Sequence, residues 1–252
     1  MLENKVSASP QVNSILRALP AEEMAQLSHL FKPVSLPLHY IFNEPGQEIR
    51  HCYFLTSGMA STVAVMKDGS TAEVGVIGSE GLVGFATMLG VDVAQNLTII
   101  QVAGEGLRID AEKLRAIFDE SLTLRRSIER FIWSTLAFYA QCAACNRFHS
   151  LEERMSRWLL TVRDRINDNN LPLTHEFLGQ MLGAHRSTVT LALGAFERAG
   201  VLHNRRGKIE LTDLGRIEKS SCECLEAIRK LPSFAPPNGP AKNDGTVRGT
   251  AV

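Results

Sequence analysis

At Asp110 the periodicity of the chain changes, and that change limits the folds open to it. From Lys32 to Asp110, short apolar runs alternate with turn residues. Tyr40-Ile-Phe precedes Glu44-Pro-Gly, Tyr53-Phe-Leu precedes Thr56-Ser-Gly, and Ser61 to Met66 precedes Lys67-Asp-Gly. Asp-Gly between apolar runs is a hairpin signal. Glu73 to Gly78, Leu97 to Val102 and Leu107 to Ile109 continue the pattern. Many short strands at this spacing predict a barrel or a sandwich. Gly81 to Gly90 interrupts the strands and has room for one short helix. After Asp110 the pattern is helical, first from Ala111 to Glu120, then over a long stretch from about Leu122 to Phe148.

Within that long helix Leu124, Ile128, Phe131, Thr135, Phe138, Cys142 and Cys145 follow one another at alternating spacings of four and three. This is a seam of period 3.5, as in a coiled coil. At ~1.5 Å per residue the helix spans about 40 Å. An apolar helix of this length needs cover, from the strand domain on one side and from a second copy of the chain on the other. The seam is therefore expected to join a homodimer. Ahead of the strands, Ser14 to Leu19 and Ala21 to Phe31 read as short helices separated by Pro20. Behind the seam, Ser150 to Ile166 is amphipathic through Leu151, Met155, Trp158, Leu159 and Val162, and Asn167-Asp-Asn-Asn is a loop. The expected units are 14–120, 121–149 and 150–231, an α+β arrangement. The Pro- and Gly-rich stretch 232–252 is expected to be a disordered tail.

Residues 174–199 hold the most informative pattern. Thr174 suits a helix N-cap. Phe177, Leu178, Met181 and Leu182 form an inner face, Gly179 admits a close crossing, and Gly183 permits a sharp turn. A second helix begins near Arg186 with Val189, Leu193 and Phe196 inward, and its other face presents Arg186, Ser187, Thr190 and Leu191. This is helix–turn–helix spacing. Val201-Leu-His and Lys208-Ile-Glu-Leu can pair across Asn204-Arg-Arg-Gly207, a wing with two arginines at its tip. Thr212 is expected to cap a final helix. Lys plus Arg equals Asp plus Glu over the whole chain, 27 each, yet 173–208 holds five basic residues against two acidic ones. The distribution points to DNA where the net charge does not. Arg186 is placed for a bidentate pair with guanine, Ser187 and Thr190 for base edges, and Thr174, Gln180, Arg205 and Arg206 for phosphates.

Four segments together resemble one family: Tyr53-Phe-Leu-Thr-Ser-Gly, Gly78-Ser-Glu-Gly-Leu-Val-Gly, Ser150-Leu-Glu-Glu-Arg-Met-Ser-Arg-Trp-Leu-Leu and Leu178-Gly-Gln-Met-Leu-Gly-Ala-His-Arg-Ser-Thr-Val. With the order of domains, they are similar to the Crp/Fnr family of bacterial transcription regulators. The resemblance implies a jelly-roll sensor domain like a cyclic-nucleotide-binding domain, a dimerisation helix and a winged helix–turn–helix. It also implies a homodimer on a palindromic operator, with RNA polymerase an expected partner and a small molecule of unknown identity as effector. The effector pocket is expected at Val83, Gly84, Phe85, Gln95 and Asn96. The member that binds cyclic AMP uses a Glu on the ribose and an Arg with a Ser on the phosphate. Here Phe85 falls at the Glu position, Ala94-Gln95 lies near the Arg–Ser position, and no arginine lies between Arg50 and Arg108. A cyclic phosphate without a cation is poorly held, so cyclic AMP is not the expected effector. The oxygen-sensing branch uses an N-terminal cysteine cluster, and no cysteine precedes Cys52.

Rival classes fare less well. With 44% hydrophobic and 21% charged residues the composition is that of a globular protein. No apolar run approaches the ~18 residues of a membrane span. Met1 to Pro10 lacks an apolar signal-peptide core, so a cytoplasmic address is expected. A cupin-like enzyme would need clustered ligands, yet only His39 and His51 fall among the strands. No nucleophile or phosphate-loop motif is present, so no enzyme is expected and no cofactor is indicated. The alternatives are a cyclic-nucleotide-responsive regulator of the same family and a sensor acting on a protein partner. Cys142-Ala-Ala-Cys145 is read as packing on the seam. Cys222-Glu-Cys224 has no histidine near it in sequence, so no metal site is expected.

Overall fold

The computed structural model describes residues 9–205 and 207–234. Eight strands form two four-stranded antiparallel sheets, a jelly roll. One sheet runs in the order β1 (Lys32–Leu36), β8 (Gly104–Asp110), β3 (His51–Leu55) and β6 (Leu82–Val83). The other runs β2 (Ile41–Asn43), β7 (Leu97–Val102), β4 (Met59–Val65) and β5 (Thr71–Ile77). The short helix between Gly81 and Gly90 is a single 3-10 segment, Phe85–Leu89. Two N-terminal helices, α1 (Ser14–Arg17) and α2 (Ala21–Leu27), close one end. Buried Asn13 fixes them: its Oδ1 caps α1, and its Nδ2 donates to the carbonyls of Leu55 and Gly81, both at 2.9 Å.

Three helices follow, each started by a capping side chain: α3 (Ala111–Glu120) by Asp110, α4 (Leu122–Phe148) by Ser121 and α5 (Leu151–Ile166) by Ser150. Ser150 and Glu153 form a capping box, satisfying backbone N–H groups that no helical carbonyl reaches. The C-terminal unit continues with β9 (Asn170–Leu171), α6 (His175–Leu182), α7 (Arg186–Arg198), β10 (Leu202–Arg205), β11 (Lys208–Leu211), α8 (Leu214–Lys219) and α9 (Cys224–Arg229). Its three strands form an antiparallel sheet in the order β10-β11-β9. Asp213, not Thr212, caps α8, while the Thr212 hydroxyl donates to the carbonyl of Gly200.

The strand domain and the C-terminal unit are not separated by water. One buried cluster runs from Met59, Val63 and Val76 through Phe138 and Trp158 to Leu178, Val189 and Leu193. A second fills the sandwich and takes in Leu124, Ile128 and Phe131 of α4.

This packing corrects the expectation for α4. Leu124, Ile128, Phe131, Thr135, Phe138 and Cys145 are buried against their own chain, and Cys142 is partly buried on the same core. None of the seven is free for a second copy. Period 3.5 reports that one face of a helix is covered, not by what, and the strand domain and the C-terminal unit together take the more apolar face. The opposite face repeats the same spacing through Arg126, Glu129, Trp133, Leu136, Ala140 and Ala143, all exposed. Trp133 and Leu136 are 58% and 61% exposed.

The tail also begins later than expected. Phe234 is 7% exposed, with its ring 5.4 Å from that of Phe138 and the Arg165 guanidinium 4.6 Å from its centre. Phe234 is therefore packed although Pro232 is exposed, and 235–252 lie outside the described residues.

Candidate nucleic-acid interface and effector cavity

The Thr174 hydroxyl accepts from the Phe177 N–H and starts α6. Gly183 ends α6 at φ +58°, a conformation that costs glycine little. A Cβ at Gly179 would stand 2.9 Å from the carbonyl oxygen of Ala184, so the turn closes over a position that must lack a side chain. Leu178, Met181 and Leu182 of α6 meet Val189 and Leu193 of α7 in the core. The opposite face of α7 is left to solvent: Arg186, Ser187, Thr190 and Leu191 are all exposed, Leu191 by 74%. Thr174 and Gln180 are exposed on α6, and Arg205 is exposed on β10, where it pairs in register with Lys208 rather than sitting at the tip. Arg206 lies outside the described residues.

Between α7 and the wing lies a cleft of about 480 Å³. Two residues that the sequence does not single out organise it. Asn204 Nδ2 stands 2.7 Å from His175 Nε2, and His175 Nδ1 stands 2.9 Å from Thr190 Oγ1. With Nε2 accepting from the amide, the ring proton belongs on Nδ1 and is donated to Thr190. Thr190 in turn donates to the carbonyl of Arg186, at 2.9 Å. His175 thus ties the wing to the outward helix. Arg186 Nη1 lies 3.6 Å from Glu176 Oε2, an exposed pair that exchanges readily for another anion. No periodicity reveals His175 or Asn204, because the two segments meet only when the unit folds.

Residues 153–220 match the model of one domain family. The C-terminal unit is a Crp-like helix-turn-helix domain. Similar solved structures extend the likeness to the rest of the chain. The c-di-GMP responsive global regulator CLP of Xanthomonas campestris is 20% identical, covers 76% of this chain and 99% of its own, and has a TM-score of 0.63. The CRP-family regulator TTHB099 of Thermus thermophilus is 19% identical over 75% and 96%, with a TM-score of 0.61. FixK2 of Bradyrhizobium japonicum is 14% identical over 76% and 98%, with a TM-score of 0.59. No curated protein matches the sequence. The chain shares the fold of these solved structures, and residues 153–220 within it form the Crp-like helix-turn-helix domain. No helix among the described residues is long and apolar enough to cross a membrane.

Val83, Gly84, Phe85, Gln95 and Asn96 come together around one cavity, of about 210 Å³. Thr62, Ile77 and Tyr139 of α4 complete much of its wall. No lysine, arginine, histidine, aspartate or glutamate is among its described lining residues. The Phe85 ring meets that of Phe131 edge-on at 5.7 Å, so the cavity wall rests directly on α4.

Beyond the cavity two polar links join the strand domain to α5. Glu73 accepts from Ser61 Oγ at 2.7 Å and from Trp158 Nε1 at 2.6 Å. Burial pushes its carboxyl up to about 7, against these donors and the nearby Arg157 and Arg165. Glu80 Oε1 meets Arg165 Nε at 3.0 Å, both side chains largely buried.

The cysteines are not arranged as expected. Cys145 turns away from Cys142 and towards Cys222, 3.5 Å between sulfurs. Cys142 faces Arg157 instead, at 3.7 Å, and burial pushes its thiol up to about 11. His149 stands beside Cys224, with Nδ1 3.6 Å from the sulfur. The ground for expecting no metal site at Cys222 and Cys224, a missing histidine, therefore does not hold in three dimensions.

Proposed function

We propose that the chain is a homodimeric, sequence-specific DNA-binding transcription regulator controlled by a small, uncharged effector. The observation that carries this reading is the exposed face of Arg186, Ser187, Thr190 and Leu191 on α7 of a Crp-like domain. In the major groove Arg186 pairs with guanine, Ser187 and Thr190 meet base edges, and Leu191 suits a thymine methyl. Thr174, Gln180, Arg205 and Arg206 hold phosphates.

The reading divides the chain into a sensor at 14–120, a dimerisation helix at 121–149 and a DNA-binding unit at 150–231. The dimer forms through the exposed face of α4 around Trp133 and Leu136. It sets two α7 helices about 34 Å apart, ~10 base pairs, on a palindrome. RNA polymerase is the downstream partner. The effector sits at Val83, Gly84, Phe85, Gln95 and Asn96. An uncharged ligand is favoured because that lining holds no cation for a phosphate. Binding there reaches α4 through Tyr139 and the Phe85–Phe131 contact.

Selection of bound oligonucleotides from a random pool, repeated over a range of salt, tests the reading. The expected result is enrichment of a palindrome and an affinity that falls steeply with salt. Failure to retain any duplex at low salt would return the protein-partner alternative to first place.

A further inference from the structure

We propose that Cys145, His149, Cys222 and Cys224 form a closed Cys3His site for one zinc-class divalent ion. The four ligand atoms, three Sγ and one imidazole nitrogen, all lie within 4.8 Å of one another. The contacts Cys145–Cys222 and Cys224–His149 measure 3.5 and 3.6 Å. A tetrahedral zinc with bonds of about 2.3 Å to sulfur and about 2.0 Å to nitrogen sets its ligands roughly 3.5–3.8 Å apart. The cluster therefore needs only small side-chain adjustments to close on one ion. A multi-iron cluster needs its thiolates spread around a larger body. Thiolate and imidazole ligands also exclude magnesium and calcium, which take oxygen.

The fold brings these ligands from two places far apart in sequence. Cys145 and His149 stand one helical turn apart at the end of α4. Cys222 and Cys224 flank Glu223 at the start of α9. Groups outside the four behave as supports for a metal site. Glu223 Oε2 takes His149 Nε2 at 3.1 Å, which orients the ring and leaves Nδ1 for the ion. Gln141 Nε2 donates to Cys224 Sγ at 3.0 Å.

Charge supplies the second, independent observation. Arg157 is only 4% exposed and pairs with no carboxylate among the described residues. Its guanidinium turns instead to the sulfurs, reaching Cys142 at 3.7 Å with Cys145 beside it, and its Nε has no partner. A buried cation without a direct ion pair is costly, and the nearby Glu73 carboxyl, raised to about 7, compensates it only in part. Three thiolates, one neutral imidazole and one divalent ion sum to a single negative charge, which Arg157 balances. All four positions are filled by protein, so the ion is structural rather than catalytic. It fastens the last helix of the DNA-binding unit to the end of α4.

Elemental analysis of the full chain, purified anaerobically from zinc-containing medium, should find one zinc per chain. Cobalt exchanged into the site should show thiolate charge-transfer absorption and the strong visible bands of a tetrahedral ion. The C222S/C224S variant should lose the ion, while C52S and C142S keep it. Chelation of the wild-type chain should release one equivalent to a metal-sensitive dye and lower the thermal midpoint, a readout that holds even if the double variant does not fold. Trace metal with no tetrahedral cobalt spectrum would overturn the proposal, as would a Cys145–Cys222 disulfide in place of metal under these conditions. Full metal retention by C222S/C224S would overturn it as well. None of these readouts involves DNA, so their failure leaves the regulator reading standing.

Discussion

Glu73 carries the sharpest consequence at the scale of single residues. Its carboxyl ionises near 4.5 when free and near 7 in the fold, because burial penalises the charge. The folded chain thus keeps a proton that the unfolded chain has released. The resulting stability is complete below about 4.5 and is lost as pH rises through about 7, by at most about 3 kcal/mol. In E73Q this slope should vanish while the Trp158 N–H keeps an acceptor. Thermal melts of both proteins across that window should show the E73Q advantage growing with pH, and parallel curves would refute it. At the interface, R186A should cost about 1–3 kcal/mol per lost bidentate contact and relax preference at one base per half-site. R205A should weaken all sequences alike and reduce the salt slope by about one. Selected-pool sequencing with each variant separates the two effects. If R186A leaves every base preference intact, α7 is not the reading helix.

For the elements, α4 makes the strongest demand. One of its faces is buried in the chain, and the other exposes Trp133 and Leu136 in a heptad-spaced row. The W133K/L136K variant should sediment as a monomer at concentrations where the parent is a dimer, with little change in the monomer's own melting. F131K should instead fail to fold, since Phe131 is fully buried and a lysine there has no partner. A monomeric parent, or a dimeric W133K/L136K, would move the interface elsewhere. The wing and α7 form another linked pair through Asn204, His175 and Thr190.

Across the whole molecule, the strand domain, α4 and the C-terminal unit share a continuous core. Under the proposed function, that continuity would give an effector a physical route from the Val83–Asn96 cavity to α7, by way of Tyr139 and α4. The absence of Lys, Arg, His, Asp and Glu from the cavity's described lining makes a further expectation definite. Titration calorimetry with cyclic AMP should show no sub-millimolar affinity. A sub-millimolar binding heat that disappears on substitution of Phe85 or Gln95 would falsify this.

Much of the architecture was legible in the sequence because local rules specify it. Asp110, Ser121, Ser150 and Thr174 cap their helices with their own side chains, and Gly183 turns the backbone where the spacing requires it. The outward face of α7 and the five cavity residues followed from periodicity and from the family resemblance. What covers a face is another matter, because periodicity records only that a face is covered. Only tertiary packing decided that the 3.5-residue seam turns inward and that Trp133 and Leu136 face out. It also placed Phe234 on Phe138, in a stretch whose composition reads as tail. Long-range packing alone joined His149 to cysteines more than seventy residues away and closed the wing on His175. Such contacts depend on the path of the whole backbone, which no local pattern of residues encodes.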